Sequence, residues 1–472
     1  MRTKIMVTVG PASREEQMLR HLVHEGVRLF RLNFSHGNAA SFLPVVEHLR
    51  ALEGEIQTPV CIIQDLSGPK YRIGELSVQR MEITKGGEYR LGYPRGNDEQ
   101  DGMIPFLEPD ILSDLSPGDR VVVSDGSIEF LIEAKETDHA IRIRAENSGF
   151  LLSKKGIAFP GKKLSRSMLT DKDCRDIQEG AALGVDAVAL SYVSDASDLD
   201  LLRRLLQDAK STAPIVAKLE RGSAVQNLDA ILDSSDAVMV ARGDLGVECP
   251  LYKLPELQKR IIRACNAKGK PVIVATQMLL SMVDNARPTR AETTDVANAV
   301  LDGADCVMLS EETAVGKYPL ETVRFMHRIT RNAEEFLFEQ TQAPSPPGDQ
   351  NDPIRFLAYG ACLIAEKSAS SGLVAHTKTG QTALLLSSCR PRQTIFALSP
   401  SKEVAAFLNV SRGVLPFLVG ASIPDHLERA ERFVEDSPFF PSGHTVVITA
   451  GHTSAGQQHA PTNMIKIYQK RT

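Results

Sequence analysis

The sequence predicts an α/β fold: a (β/α)₈ barrel, or TIM barrel, with an inserted small β-barrel lid domain and a C-terminal α/β domain. Three observations support this prediction. Eight short apolar runs alternate with helical patterning, one connection between runs is far too long for a loop, and a proline-rich segment precedes the last part of the chain. A chain of 472 residues also exceeds what one hydrophobic core serves, so two or three domains are expected.

The eight apolar runs have the near-continuous hydrophobicity that is typical of parallel strands buried on both faces. Helical segments between them indicate repeated strand–helix units. Eight such units favour a closed barrel over an open doubly wound sheet. The runs lie at residues 4–10, 27–34, 60–66, 187–193, 215–220, 237–243, 271–278 and 306–313.

The connection between the third and fourth runs spans about 120 residues, far beyond an ordinary loop. It contains β-like segments separated by glycine-containing turns, at 80–83, 88–91, 120–124, 128–134 and 141–144. We therefore expect residues 71–168 to form the inserted lid, with hinges at 67–69 and 159–161. The barrel then comprises residues 1–70 and 169–340.

A helix is predicted to extend to about Gln340, where a segment with four prolines begins and cannot continue it. Beyond this linker helical and apolar segments alternate again, which indicates a third domain over residues 354–472. Its strands are predicted at 373–377, 394–398, 414–419, 445–449 and 464–468.

Composition excludes several classes of function. A net charge of -5 with both signs dispersed gives no footprint for a polyanion, so no nucleic-acid partner is expected. No apolar run reaches the roughly 18 residues of a membrane span, and the first residues lead directly into a strand, so neither a membrane nor a secretory signal is expected. Seven scattered cysteines without a C-x-x-C pair indicate reduced thiols in a cytoplasmic protein.

Polar and charged side chains finish six of the eight runs, at the end where a (β/α)₈ barrel carries its active site. Side chains two apart in a strand point the same way, so Arg31 and Asn33 would face the barrel mouth together, as would Lys218 and Glu220. One charge alone could merely cap a solvated strand end, but convergence from six strands indicates a site. The polar residues at the strand ends are Arg31, Asn33, Asp65, Lys218, Glu220, Arg242, Asp244, Thr276, Gln277, Ser310, Glu311, Glu312 and Thr313.

Two carboxylates, Glu220 and Asp244, accompany two arginines and a lysine in this set. Mg²⁺ is typically held by one or two carboxylates together with substrate oxygens and water. Phosphoryl transfer needs such a metal and cationic side chains to position the group and neutralise its charge. The turn at Gly243 and Asp244 is also expected to open a helix whose free N–H groups can take an anion.

Six motifs in the first 335 residues resemble those of the pyruvate kinase family, and the last domain resembles it more weakly. The family's layout of barrel, inserted lid and C-terminal α/β domain agrees with the organisation predicted above. The motifs are VGPAS (9–13), RLNFSHG (31–37), MVARGDLG (239–246), GKPVIVATQML (269–279), RPTRAE (287–292) and DVANAVLDGAD (295–305).

The resemblance implies transfer of a phosphoryl group from phosphoenolpyruvate to ADP, giving pyruvate and ATP, with Mg²⁺ or Mn²⁺ as cofactor. It implies that Arg31 holds the phosphoryl group and that Lys218 neutralises it in flight. Glu220 and Asp244 would bind the divalent ion.

The resemblance also assigns the remaining substrate contacts. The backbone at Gly243 and Asp244 and the Thr276 hydroxyl would hold the substrate carboxylate, and Thr276, Ser310 and Glu312 are candidates for a proton relay through water. Residues of the nucleotide site would be His36, Arg72 and Lys155, with Asp125 on the lid meeting the nucleotide's metal on closure.

Many family members need potassium, held by residues matching Asn33, Ser35 and Asp65 and a carbonyl matching that of Leu66. Members that need it tend to carry glutamate at the position of Lys70, and the others tend to carry lysine there with leucine at the position of Leu66. An ammonium on a flexible stem can replace a bound cation. We therefore expect this enzyme to work without K⁺, with the four-residue site retained as a vestige.

In the C-terminal domain a small polar loop between a strand and a helix resembles the family's effector loop, which would take a sugar phosphate or nucleotide effector. An ordinary capped turn would use the same residues. The family also implies a homo-oligomer, expected to be a tetramer. The loop residues are Thr377, Lys378, Thr379, Gly380, Gln381 and Thr382.

Four departures from the family pattern stand near the predicted site. Glu311 replaces glycine, Arg221 replaces asparagine, and residues 194–195 read Ser-Asp in place of Arg-Lys. The fourth is DLSGPK at 65–70, where many members carry DTKGPE. Two alternatives stay open at this point: another barrel enzyme of the phosphoenolpyruvate-using or aldolase type, and an inactive relative that senses ligands.

Overall fold

The first part of the barrel is formed by three strands and two helices at the start of the chain. The computed structural model describes residues 1–94, 102–124, 126–162, 164–340, 344–347, 352–420, 423, 425–451 and 462–471. The strands are apolar, almost wholly buried and joined by helices. These elements are β1 (Lys4–Val9), α1 (Glu16–His24), β2 (Leu29–Asn33), α2 (Ala39–Ile56) and β3 (Cys61–Asp65).

The inserted segment follows β3 and has its own hydrophobic core, which includes Phe106, Phe130 and Ile143. Its described strands form a six-stranded sheet, in the order β11-β7-β8-β9-β5-β6, and a separate β10-β4 pair. The elements are β4 (Met81–Ile83), β5 (Glu88–Gly92), β6 (Ile104–Pro105), α3 (Pro109–Asp114), β7 (Arg120–Val123), β8 (Ile128–Thr137), β9 (Ala140–Ala145), β10 (Gly149–Leu151) and β11 (Ile157–Ala158).

The chain then returns to the barrel with five more strands and nine described helices. Well-formed caps mark several helices: Thr170 and Thr289 each accept a hydrogen bond from the backbone of the first turn in a capping box. The elements are α4 (Asp171–Leu183), β12 (Ala187–Leu190), α5 (Ala196–Asp208), β13 (Ile215–Leu219), α6 (Gly222–Gln226), α7 (Leu228–Ser234), β14 (Ala237–Ala241), α8 (Arg242–Glu248), α9 (Leu254–Lys268), β15 (Val272–Ala275), α10 (Arg290–Asp302), β16 (Cys306–Leu309), α11 (Glu311–Ala314) and α12 (Pro319–Gln340).

The eight parallel strands close into a barrel in the order β1-β16-β15-β14-β13-β12-β3-β2, which confirms the predicted fold class. The strands end earlier than the apolar runs do. The last run was expected to continue as a strand to Thr313, but β16 stops at Leu309 and Glu311 already begins a helix. Because the strands are short, most of the polar residues of the predicted site lie just beyond them, at the barrel mouth.

The barrel interior is filled by small and medium side chains, including Ala189, Val216, Met239 and Ile273. Phe407 of the C-terminal domain belongs to the same cluster. The C-terminal domain therefore plugs one end of the barrel, and the other end stays open for a site.

The C-terminal domain is a five-stranded sheet in the order β19-β18-β17-β20-β21, with β21 antiparallel to its neighbour. All five strands expected from the sequence are present, and the domain begins with a long helix after the linker. The elements are α13 (Pro353–Lys367), β17 (Leu373–His376), α14 (Gln381–Ser388), β18 (Ile395–Ser399), α15 (Lys402–Phe407), β19 (Val414–Leu418), α16 (His426–Asp436), β20 (Thr445–Ala450) and β21 (Met464–Gln469).

Two global features bear on the protein's class. All seven cysteines are free, and five of them are buried. Within the ranges that the structure describes, no helix has the length and apolarity needed to cross a membrane.

One buried carboxylate joins the barrel to the C-terminal domain. Asp305 accepts hydrogen bonds from Arg390 Nη1 at 2.6 Å and Nη2 at 3.0 Å, and from the backbone N–H of Val272 at 3.0 Å and Arg412 at 3.1 Å. Asp305 is only 3% exposed. Breaking such a pair by removing one partner leaves an uncompensated charge in the interior.

We therefore expect Asp305→Ala to destabilise the protein by about 3–5 kcal/mol, because it leaves the Arg390 guanidinium without its buried counter-charge. The midpoint of urea unfolding measures the effect. The control is Asp284→Ala, whose pair with Lys317 is 2.8 Å long and well exposed, and which should cost less than about 1 kcal/mol. Equal midpoints for the two variants would show that Asp305 does not hold the domains together.

Candidate active site

A network of buried charges connects the ends of strands β2, β3 and β13 at the open end of the barrel, where β12 lies between β3 and β13. Arg31 Nε donates to Asp65 Oδ2 at 2.5 Å. Lys218 Nζ lies 3.1 Å from Asp65 Oδ1 and 2.9 Å from Glu220 Oε1. Asp65 and Glu220 are 1% and 2% exposed, so these charges interact with little screening by water.

The charge states in this network follow from mutual pairing. Burial alone would lower the pKa of Lys218, but the carboxylates of Asp65 and Glu220 outweigh it and raise that pKa above its usual value. Burial alone would likewise raise the pKa of Asp65, but Lys218 and Arg31 outweigh it and lower that pKa. Lys218 is therefore held as an ammonium and Asp65 as a carboxylate at neutral pH.

Two residues that the sequence analysis gave no role complete the network. Ser191 Oγ accepts from Lys218 Nζ at 2.6 Å and donates to the Leu66 carbonyl at 2.8 Å. Tyr192 has a φ of 58° and its backbone N–H donates to Glu220 Oε2 at 2.6 Å. A left-handed tyrosine is costly, and such backbone strain clusters at functional sites. Ser191 and Tyr192 lie inside the fourth apolar run, and no local pattern distinguishes them there.

Glu220 and Asp244 line the same cavities at the barrel mouth. Burial raises the pKa of Glu220, Lys218 opposes the shift, and the charge of Asp244 adds to it. The two carboxylates are thus close enough for the charge of Asp244 to act on Glu220, and both line the two cavities. This donor set suits a hard divalent cation, which prefers carboxylate oxygens.

Thr276 is oriented by an unusual backbone. Thr276 and Gln277 have φ values of 69° and 53°, and Thr276 Oγ1 accepts from the backbone N–H of Gly243 at 2.9 Å. Gly243 and Asp244 lie in the first turn of α8, so the predicted helix start is present.

Arg242 does not face the barrel mouth, contrary to the expectation of two arginines there. Its Nη1 donates to Asp295 Oδ1 at 2.7 Å and its Nη2 to the Thr276 carbonyl at 2.8 Å. These contacts occur because Arg242 begins a helix rather than ending a strand. Arg242 therefore supports the loop that carries Thr276, whereas Arg31 and Arg14 line the larger cavity at the barrel mouth.

Ser310 lines the larger cavity at the barrel mouth, and Glu312 lies behind Ser310. Glu312 is fully buried and accepts from the backbone N–H of Ser310 at 2.7 Å and of Leu279 at 3.0 Å. Burial raises the pKa of Glu312, partly offset by these hydrogen bonds. Glu312 therefore contacts the backbone of a residue that lines the cavity.

Two cavities meet at Glu220 and Asp244. The larger, of about 670 Å³, opens at the barrel mouth and contains Arg31, Lys218, Asp244 and Thr276, four of the residues expected to bind phosphoenolpyruvate. The smaller, of about 250 Å³, lies between the mouth and the inserted sheet and contains Arg72 and Lys155 of the expected nucleotide site. Asp125 lies outside the described residues. The larger cavity is lined by Arg31, Asn33, Ser35, His36, Lys70, Lys218, Glu220, Asp244, Thr276 and Ser310, among others.

The residues expected to form the potassium site adjoin the charged network. Asn33 Oδ1 accepts from the backbone N–H of Ser35 at 3.1 Å, and the Leu66 carbonyl is bound to Ser191. Lys70 is exposed, lines both cavities and makes no ion pair with any described residue.

The expected effector loop is compact. Thr377 Oγ1 accepts from the backbone N–H of Gly380 at 2.9 Å, and Gly380 has a φ of 86° immediately before α14. Thr379, Gly380 and Gln381 line a cavity of about 820 Å³ that also reaches Lys268 and Lys270 of the barrel. Lys378 and Thr382 belong to the same loop, and Thr382 Oγ1 lies 2.5 Å from Thr462 Oγ1.

Comparison with known proteins agrees with this geometry. Residues 1–323 match the family described as pyruvate kinase, barrel domain, and residues 356–468 match pyruvate kinase, alpha/beta domain. A pyruvate kinase of Agrobacterium vitis is 41% identical over 99% of this chain and 96% of its own length. Pyruvate kinase 2 of Synechocystis is 40% identical over 95% of this chain and 76% of its own length. A pyruvate kinase of Mycobacterium tuberculosis is 37% identical over 95% of both chains.

These matches cover nearly the whole chain, and they exclude the alternative of an aldolase-type barrel. The chain belongs to the pyruvate kinase family and is a phosphotransferase that transfers the phosphoryl group of phosphoenolpyruvate to ADP, giving pyruvate and ATP.

Proposed function

We propose that Arg31 and Lys218 bind the phosphoryl group of phosphoenolpyruvate and neutralise it during transfer. The observation that carries this role is the charged network: Asp65 holds both cations side by side at the rim of the larger cavity. Their geometry exists before substrate arrives, so little reorganisation is needed in the transition state. The direct test is formation of pyruvate from phosphoenolpyruvate and ADP with Mg²⁺, which an inactive relative would fail.

Glu220 and Asp244 would hold Mg²⁺ or Mn²⁺. Burial raises the pKa of Glu220 and the charge of Asp244 adds to that shift, and a bound cation would oppose both effects, which supports this role. A bound divalent ion supplies charge neutralisation and a template for phosphate oxygens. The protein's own contribution is the orientation of Glu220, which Tyr192 and Lys218 hold from two sides.

The substrate carboxylate would be held by the backbone N–H groups at Gly243 and Asp244 and by the Thr276 hydroxyl. Support comes from the start of α8, where backbone N–H groups are free of helical partners. The enolate would receive its proton by a relay from Thr276 or Ser310 through water, with Glu312 behind Ser310.

The nucleotide phosphates would be bound by His36, Arg72 and Lys155, with Asp125 approaching when the lid closes. The smaller cavity between barrel and inserted sheet supports this arrangement. The corresponding domains would be residues 1–70 with 169–340, the lid at 71–168, and the C-terminal domain at 354–472.

Regulation and assembly would follow the family. The loop at 377–382 would take the phosphate of a sugar phosphate or nucleotide effector, supported by the cavity beside it. The enzyme would be a cytoplasmic homotetramer, and its free cysteines are compatible with a reducing compartment.

Lys218→Met should lower kcat by about 100- to 1,000-fold, because the transferring group loses its main cation. Binding of phosphoenolpyruvate should change little, since Arg31 remains. Initial rates measure the change, and thermal unfolding verifies the fold, because Asp65 and Glu220 lose a buried partner. The control is Lys317→Met at an exposed lysine, which should leave kcat unchanged. A Lys218 variant within about threefold of wild type would remove Lys218 from the mechanism.

The enzyme should work without K⁺, because the ammonium of Lys70 can supply the positive charge beside Asn33, Ser35 and Asp65. Turnover is measured with potassium replaced by tetramethylammonium at constant ionic strength. A loss of about tenfold or more that potassium restores would contradict this proposal. Lys70→Glu should create a potassium requirement, whereas Lys85→Glu, at an exposed lysine of the inserted domain, should not.

The protein should be a tetramer in solution. Leu251 and Tyr252, next to α8, are 71% and 80% exposed, and exposed apolar patches of this kind mark interaction surfaces. Light scattering at micromolar concentration should give four times the chain mass of 51.5 kDa. A particle of one chain mass would rule out the assembly.

A further inference from the structure

Arg221 is a buried arginine that makes no ion pair with any residue that the structure describes. It is 8% exposed, and Nη1 donates to Ser194 Oγ at 3.3 Å. No carboxylate among the described residues lies within 4.0 Å of its guanidinium. A buried cation is costly unless it is paired, so this arrangement is expected where a partner arrives from outside the chain.

The guanidinium of Arg221 faces the smaller cavity, the one that contains Arg72 and Lys155. Its central carbon lies 5.7 Å from the centre of the Tyr192 ring, which restricts the plane of the guanidinium. The larger cavity, where Arg31 and Lys218 stand, does not include Arg221 among its lining residues.

Acidic groups around Arg221 are already engaged. The nearest in sequence, Glu220, is paired with Lys218 at 2.9 Å. Glu248 Oε2 accepts from the backbone N–H of Gly161 at 3.2 Å, and although burial raises the pKa of Glu248, the charge of Arg221 opposes that shift. Neither carboxylate forms an ion pair with Arg221, and Arg221 lines the smaller cavity.

Arg221 and Ser194, which contact one another, are two of the positions where this chain departs from the family pattern. Ser194 is small and 7% exposed. Its hydroxyl accepts a hydrogen bond from Arg221, which follows the adjacent strand β13. The two departures therefore form one structural feature, in which the side chain at position 221 supplies a positive charge to the smaller cavity and the side chain at position 194 contacts it.

We propose that Arg221 is a further substrate-binding residue, which contacts the diphosphate of the nucleotide across the smaller cavity. A planar guanidinium binds phosphate oxygens in bidentate fashion, and its geometry is fixed by Ser194 and Tyr192 before binding. The inference rests on the proposed assignment of this cavity to the nucleotide. It excludes the phosphoryl group of phosphoenolpyruvate as the main partner, because that group would lie in the larger cavity.

Arg221→Gln should raise KM for ADP by about 10- to 100-fold, the range for loss of a charged hydrogen bond to a ligand. KM for phosphoenolpyruvate and kcat at saturation should both stay within about threefold of wild type. Arg221→Lys keeps the charge but loses the bidentate geometry, so its KM for ADP should lie between the values of wild type and Arg221→Gln. Calorimetric titration of each variant with ADP and Mg²⁺, in the absence of phosphoenolpyruvate, measures the same loss directly.

Two controls test position and fold. Arg204→Gln removes a charge from an exposed site on α5 and should leave both KM values unchanged. Ser194→Arg combined with Arg221→Gln returns an arginine to the cleft from the neighbouring position and should recover part of the affinity for ADP. Thermal unfolding of each variant shows whether a loss of binding reflects a loss of folded protein.

Three results would overturn the proposal. One is a KM for ADP within about twofold of wild type in a folded Arg221→Gln variant. Another is an equal rise in both KM values, which would mean that Arg221 supports Glu220 or the inserted sheet instead. The third is an unchanged calorimetric affinity for ADP. If wild-type protein makes no pyruvate, the proposed function fails, but the calorimetric comparison still decides the role of Arg221.

Discussion

The ammonium of Lys218 lies between two buried carboxylates, and much of the site depends on this contact. Asp65 ends β3 and Glu220 follows β13, and without a cation between them their charges would repel in a region shielded from water. Burial would lower the pKa of Lys218, and the charges of Asp65 and Glu220 raise it, so the two carboxylates favour the ammonium form. The same pairing keeps Arg31 beside Lys218, so one set of charges stabilises the strand ends and places two cations at the cavity.

The C-terminal domain and the inserted segment pack at opposite ends of the barrel, and the charged network lies at the same end as the inserted segment. The C-terminal domain packs Phe407 against the interior cluster of the barrel and is joined to the barrel through Asp305. On the open side, the inserted sheet adds Arg72 and Lys155 to a second, smaller cavity. Glu220 and Asp244 belong to both cavities, which is the arrangement that transfer between two bound phosphate groups requires.

Much of the fold could be predicted because buried parallel strands leave continuous apolar runs. The two- and three-residue strands β6, β10 and β11 were missed, since such short segments carry no measurable periodicity. Within the site, the residue types were predictable, but the directions of their side chains were not. Arg242 points away from the barrel mouth because α8 begins at Arg242. The roles of Ser191 and Tyr192 depend on tertiary hydrogen bonds and a left-handed backbone, which no local pattern indicates.

The central claim is that the strand-end charges form one site for a phosphoryl group and a divalent ion. The most direct measurement is a crystal structure with Mn²⁺ and an unreactive phosphonate analogue of phosphoenolpyruvate, using the anomalous signal of manganese. The account predicts a manganese peak about 2.1 Å from carboxylate oxygens of Glu220 and Asp244, with the phosphonate on Arg31 and Lys218. A manganese peak elsewhere, or a phosphonate bound away from both cations, would contradict it.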